Sequence, residues 1–195
     1  PDVPNSMIRL TQPLANACAG MKVRAVLLYE DGVVASAEVI VGDMAPTLDL
    51  PVPADKRRLW SPADPFLYGL TIELEDENGT IVDRVLSYAG LRSVAIRGKA
   101  VLINGEPLFQ RLVLDQGYYP DGILTAPTEE ALKADILLSM SVGFNGARLH
   151  QEVLEERFLF WCDKLGYLGW GEFLVWVLDR ANPPAAYVNE WIEEL

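Results

Sequence analysis

Three short stretches of the 195-residue chain hold side chains that could do chemistry together. Asp115 and Gln116 follow the apolar run 109–114. Arg148, His150 and Gln151 close the run 144–149, and Glu172 closes the run 167–172. Arginine suits the holding of a carboxylate, because its planar guanidinium offers parallel N–H donors in a fixed fork. Arg148 is therefore a candidate for ordering acidic groups, or for a structural ion pair at a strand end. His150 is the only histidine, so no metal cluster can be built from several of them. Trp170, Phe173 and Trp176 flank Glu172. The tryptophans at 161, 170, 176 and 191 can equally pack helices on a sheet; that core reading is preferred for Trp161 and Trp191, while Trp176 stays open. The acidic stretch Glu152-Val153-Leu154-Glu155-Glu156 could suggest a metal, but at a helix start its spacing fits dipole compensation better.

The elements that must position these residues alternate strand and helix after Pro107. The runs 109–114, 144–149 and 167–172 read as strands. Thr128 is the N-cap of a helix with Ala131 at its third position. That helix runs to Val142, with Gly143 at C′. A second helix covers 154–165 and ends at Gly166; a third covers 184–195, with Pro184 in its first turn. This order predicts parallel strands joined by right-handed crossovers. Barrels of that kind gather their active-site side chains at the C-terminal ends of the strands, which is where Asp115, Gln116, Arg148, His150, Gln151 and Glu172 fall. A closed (β/α)8 barrel takes about 250 residues, and residues 108–195 supply 88. The second half is thus a small open sheet or part of a barrel.

Before residue 107 no helical period is present. Runs 21–29 and 33–41 flank Glu30-Asp31-Gly32, and 67–75 and 80–88 flank Asp76-Glu77-Asn78-Gly79. Runs 94–96 and 100–103 flank Arg97-Gly98-Lys99, and Asn104-Gly105 closes the series. Asn-Gly between alternating strands is a strong hairpin signal. Hairpins in series predict an antiparallel β-sandwich.

Half the residues are hydrophobic and 23% are charged, which excludes a disordered chain and supports a sizeable core. Sixteen Lys and Arg face 28 Asp and Glu, for a net charge of −12. Residues 108–195 contribute 6 basic and 14 acidic groups to that balance. Neither nucleic acid nor an anionic membrane suits such a surface. The apolar runs are too short to span a bilayer. No signal peptide opens the chain, so the expected location is cytoplasmic. Cys18 and Cys162, far apart and without a CxxC, read as ordinary thiols of a reducing compartment.

Seven segments, in order, resemble glycoside hydrolase family 2, which includes β-galactosidases, β-glucuronidases and β-mannosidases. They are Leu59-Trp60-Ser61-Pro62-Ala63-Asp64-Pro65-Phe66-Leu67-Tyr68, Gly90-Leu91-Arg92, Leu102-Ile103-Asn104-Gly105-Glu106-Pro107, the stretch 113–122, Gly143-Phe144-Asn145-Gly146-Ala147-Arg148, the stretch 160–166, and Trp170-Gly171-Glu172. The resemblance implies an immunoglobulin-like β-sandwich at 1–93, a linker at 94–107, and at 108–195 a partial (β/α)8 barrel of about three βα units. It implies a segment of a retaining β-glycosidase acting on a β-linked carbohydrate, with no cofactor and no metal. Such hydrolysis uses two carboxylates roughly 5–5.5 Å apart, and the family's pattern places both beyond Leu195.

Within that resemblance Arg148 matches the strand-two arginine that helps order the catalytic carboxylates. Many members carry His three residues after that arginine; here Gln151 stands there, and either His150 or Gln151 could face the sugar. Glu172 and Trp176 suit a sugar pocket, since aromatic faces stack on C–H-rich sugar faces. Asn189-Glu190 mimics the family's Asn-Glu pair but lies in a helical run without the flanking motif, so Glu190 reads as a solvated carboxylate. Unclosed strand edges predict a homo-oligomer. A non-catalytic carbohydrate-binding or protein-interaction module is the alternative. A stand-alone α/β enzyme is disfavoured, because neither a Gly-rich phosphate loop nor a nucleophile elbow is present.

Overall fold

The computed structural model describes residues 1–30, 32–172, 184–186 and 188–189. The chain divides into two compact units, Pro1–Phe109 and Gln110–Leu195.

The first unit is built from short strands: β1 (Met7–Thr11), β2 (Lys22–Tyr29), β3 (Gly32–Ile40), β4 (Thr47–Pro51), β5 (Tyr68–Glu75) and β6 (Ile81–Ala89). An antiparallel sheet runs β3-β2-β5-β6, and a second, two-stranded sheet pairs β1 with β4. On β2 the side chains of Val23, Ala25 and Leu27 are buried and alternate with Lys22, Arg24 and Val26, the two-residue period of a half-buried strand. They meet Leu70 and Ile72 of β5 and, from the other sheet, Ile8, Leu48 and Leu50, forming one sandwich core. Lys22 reaches both Glu75 (2.9 Å) and Glu38 (3.4 Å), spanning β5, β2 and β3. Strand β6 is exposed from Ile81 to Ser87, with Ile81, Val82, Val85 and Leu86 in solvent.

The two Asn-Gly turns follow their sequence. Asp76 accepts from the N–H groups of Asn78 (2.9 Å) and Thr80 (2.8 Å), and Gly79 takes φ 80°, so the Asn-Gly turn joins β5 to β6. Tyr68 is fully buried. Its hydroxyl accepts from the Arg58 N–H (2.7 Å) and donates to the Lys56 carbonyl (2.7 Å), so the phenol is buried without losing its hydrogen bonds. The segment 94–107 is a sheet of its own: β7 (Val94–Arg97), β8 (Ala100–Ile103) and β9 (Glu106–Pro107), in that order. Asn104 turns β8 into β9 at φ 54°, and its amide donates to the Trp60 carbonyl (2.9 Å). Strands β1 and β4 and their pairing lie in stretches from which no strand is expected on sequence pattern.

The second unit alternates strand and helix: β10 (Leu112–Asp115), α1 (Glu129–Ser141), β11 (Gly146–Leu149), α2 (Glu156–Leu165) and β12 (Leu168–Trp170). The three strands are parallel, in the order β10-β11-β12. Thr128 caps α1, its hydroxyl accepting from the Ala131 N–H at 3.2 Å. Gly166 ends α2 in the left-handed region at φ 75°. Leu132 and Ile136 of α1 pack with Phe158 and Cys162 of α2 on Ala147 and Leu149 of β11. A side chain at Gly146 would lie 2.6 Å from both Leu112 and the Leu168 carbonyl, so the central strand passes its neighbours there only as glycine.

All three strands begin later than their apolar runs. Phe109 is exposed, and Arg111 bonds Asn145 and Gly143, so the chain joins the sheet only at Leu112. Phe144 still bonds back to Ser139 of α1, which delays β11 to Gly146. Helix α2 starts at Glu156 rather than at 154, because Glu155 is extended (φ −54°, ψ 150°) and makes no side-chain cap. Most of the third expected helix, with Glu190 and Trp191, lies outside the described residues. No helix among the described residues is long and apolar enough to cross a membrane.

Candidate functional site

At the carboxyl ends of the parallel strands the sequence turns from apolar to polar, which places several candidates in one region. Pairing sets Leu114 beside Arg148 and Arg148 beside Trp170. On β11 the buried Ala147 and Leu149 alternate with the exposed Arg148. The guanidinium Nε of Arg148 donates to Glu172 Oε1 at 2.6 Å. The other oxygen of Glu172 accepts from the main-chain N–H of Gln151 at 3.3 Å. Gln151 reaches it from a left-handed turn, at φ 62°. The Arg148 bond, joined by the Gln151 N–H, holds the Glu172 carboxyl below the usual glutamate range.

Asp115 closes β10. Its carbonyl accepts from the His150 N–H (2.8 Å), and its carboxylate accepts from the Gly117 N–H (2.9 Å). The strand ends therefore carry Asp115, Arg148, His150, Gln151 and Glu172 as a connected set, with Arg148, Gln151 and Glu172 in direct contact. Gln116 is exposed beside them. Trp170 is 45% exposed, while Phe173 and Trp176 lie outside the described residues.

Glu152 departs from its expected place. It is not part of α2 and does not compensate that helix's dipole; Glu156 alone is acidic in the first turn, and Glu155 pairs with Arg157. Glu152 lies instead against Gly117: a side chain there would come within 3.1 Å of both of its carboxylate oxygens. Its Oε1 is buried without a hydrogen-bond partner among the described residues. Burial, with the neighbouring Asp115, raises the Glu152 carboxyl above its ordinary range, partly offset by His150. This contact joins residues 35 positions apart, and nothing in the local pattern announces it. No group of three or more His, Cys, Asp or Glu able to hold a metal occurs among the described residues.

Residues 13–92 match the profile of Glycosyl hydrolases family 2. Curated relatives extend the likeness over more of the chain. It is 30% identical to a β-galactosidase of Lactococcus lactis subsp. lactis over 126 residues, which is 64% of this chain and 12% of that protein. A β-galactosidase of Aeromonas hydrophila is 32% identical over 126 residues, 64% of this chain and 11% of its own. The chain thus spans about one eighth of the curated relatives it matches. Among solved structures, a Bacteroides uniformis β-glucuronidase superposes with a TM-score of 0.68 at 24% identity, covering 85% of this chain and 19% of that one. Much of the chain therefore shares its fold with that structure.

Proposed function

We propose that the chain is a segment of a retaining β-glycosidase, comprising an immunoglobulin-like sandwich and about the first three βα units of a (β/α)8 barrel. What carries this reading is the Arg148–Glu172 pair, set at the carboxyl ends of parallel strands that follow a family 2 domain. Barrel enzymes build their sites at that end. Arg148, buttressed by Glu172, has a fixed guanidinium direction with donors left to orient a carboxylate or a sugar oxygen. Asp115, Gln116, His150, Gln151 and Glu172 line or support the same face, and the family resemblance adds Trp176 to the residues expected to serve the sugar.

The two carboxylates that perform double displacement, roughly 5–5.5 Å apart in retaining enzymes, are supplied from outside residues 1–195. The chain alone binds a β-linked sugar weakly and does not hydrolyse it. Nitrophenyl β-galactoside and β-glucuronide are expected to give no release of nitrophenol above the uncatalysed rate. Turnover abolished by Glu190→Gln would overturn this reading. Calorimetric titration with galactose and glucuronic acid separates the alternative of a protein-interaction module: heat lost in Arg148→Ala supports the sugar site, and no heat with either sugar disfavours it. The chain also associates with itself through its unclosed strand edges.

A further inference from the structure

We propose that Glu152 is a protonation-dependent latch: as the neutral acid it seats the 150–152 turn between the ends of β10 and β12, and its ionisation loosens the Arg148–Glu172 pair. The inference goes beyond the glycosidase reading and does not depend on it.

The turn is fixed at three points. His150 donates its N–H to the Asp115 carbonyl (2.8 Å), Gln151 donates to Glu172 Oε2 (3.3 Å), and the Glu152 carbonyl accepts from the Glu172 N–H (3.2 Å). Between these points the Glu152 side chain folds inward on Gly117, where an added Cβ would lie 3.1 Å from each of its carboxylate oxygens and 2.8 Å from Leu154. Leu154 closes over the same glycine. One carboxyl oxygen is then sealed from solvent, with no donor directed at it among the described residues. A charged carboxylate in such a place is costly, whereas the acid form carries no charge to desolvate.

The surrounding groups favour the neutral form. Asp115 faces Glu152 from the end of β10 and disfavours a second negative charge. Glu172, from beyond β12, is already committed to Arg148 of β11. His150, in the same turn, is the one positive influence and only partly offsets burial. Once ionised, Glu152 gains by turning its oxygens to water. That movement pulls on Gln151 and on its own carbonyl, both of which hold Glu172. Glu172 is the shared member, so the latch acts on Arg148 through it. Glu152 is in this sense a positioning residue.

The test is an NMR titration of the whole chain between pH 4 and 8, following the side-chain carboxyl carbons and the Arg148 Nε–H. The Glu152 carbon is expected to titrate above the other glutamates, and the Arg148 Nε–H to shift with the same midpoint. In Glu152→Gln, which keeps the shape without the charge, that Arg148 shift is lost and the low-pH peak position persists across the range. Equal midpoints for Glu152 and the exposed glutamates would overturn the proposal, as would an Arg148 shift unchanged in Glu152→Gln. Should Glu152→Gln fail to fold, the unsubstituted chain decides: coincident midpoints support the latch, and separate ones overturn it.

Discussion

Arg148 and Glu172 stand 24 positions apart and meet in a 2.6 Å hydrogen bond, with Gln151 closing the arrangement from its left-handed turn. The folded-state pKa of Glu172 is depressed, so its contribution to stability is full above the unfolded value, about 4.3, and is lost as pH falls through the folded value. Glu172→Gln is therefore expected to flatten the fall in urea midpoint on acidification below that value; an unchanged acid limb would contradict the ion pair's role. Glu152 has the opposite sign. Its raised pKa makes stability fall as pH rises from the unfolded value through the folded one. Glu152→Gln should then gain on the parent chain progressively towards neutral pH, read as a widening difference in Tm. The sequence displayed the types at 115, 148 and 172, because each follows an apolar run. It did not display the role of Glu152, whose neighbours suggested a helix start and whose decisive contact is with distant Gly117.

At the scale of elements, what was legible is what is decided locally. Thr128 caps α1 and Gly166 ends α2, each through its own backbone preference. Thr128→Ala is expected to cost about 1 kcal/mol in chemical denaturation, by orphaning the Ala131 N–H. Gly166→Ala should cost about 1 kcal/mol as well, since alanine is strained in the left-handed region. The Asn-Gly turns at 78–79 and 104–105 were likewise readable, each being a four-residue matter. Strands β1 and β4 were not. Their five-residue stretches pair with each other some 40 positions apart, and their burial is conferred by β2 and β5 rather than by a long alternating run. The parallel strands start later than their apolar runs for a related reason. Hydrophobicity at Phe109 and Phe144 precedes the sheet, while Asn145 and Ser139 hold the connecting backbone elsewhere.

The described residues form two cores, one centred on Leu27, Leu50 and Tyr68, the other on Ile136, Leu149 and Phe158. Leu27→Ala leaves a cavity in the first and is expected to cost about 2–5 kcal/mol. Amide exchange should then accelerate across β2 and β5 and stay slow across β11; equal loss in both would show that the two cores melt as one. The apolar row Ile81, Val82, Val85 and Leu86 on the outer strand β6 lies open to solvent, and such an edge invites pairing. Light scattering is expected to give the mass of a dimer or larger, and a monomer's mass would rule out self-association. Finally, the two free cysteines differ in kind: Cys18 is exposed, while Cys162 is buried on the inner face of α2, its thiol pushed up to about 12 by the loss of water. The thiolate is the reactive species, so an alkylating reagent should consume one equivalent at once and the second only as the strand–helix unit opens. The chain therefore carries its own clock for the breathing of one half, calibrated against a thiol in the other, with no label to be engineered.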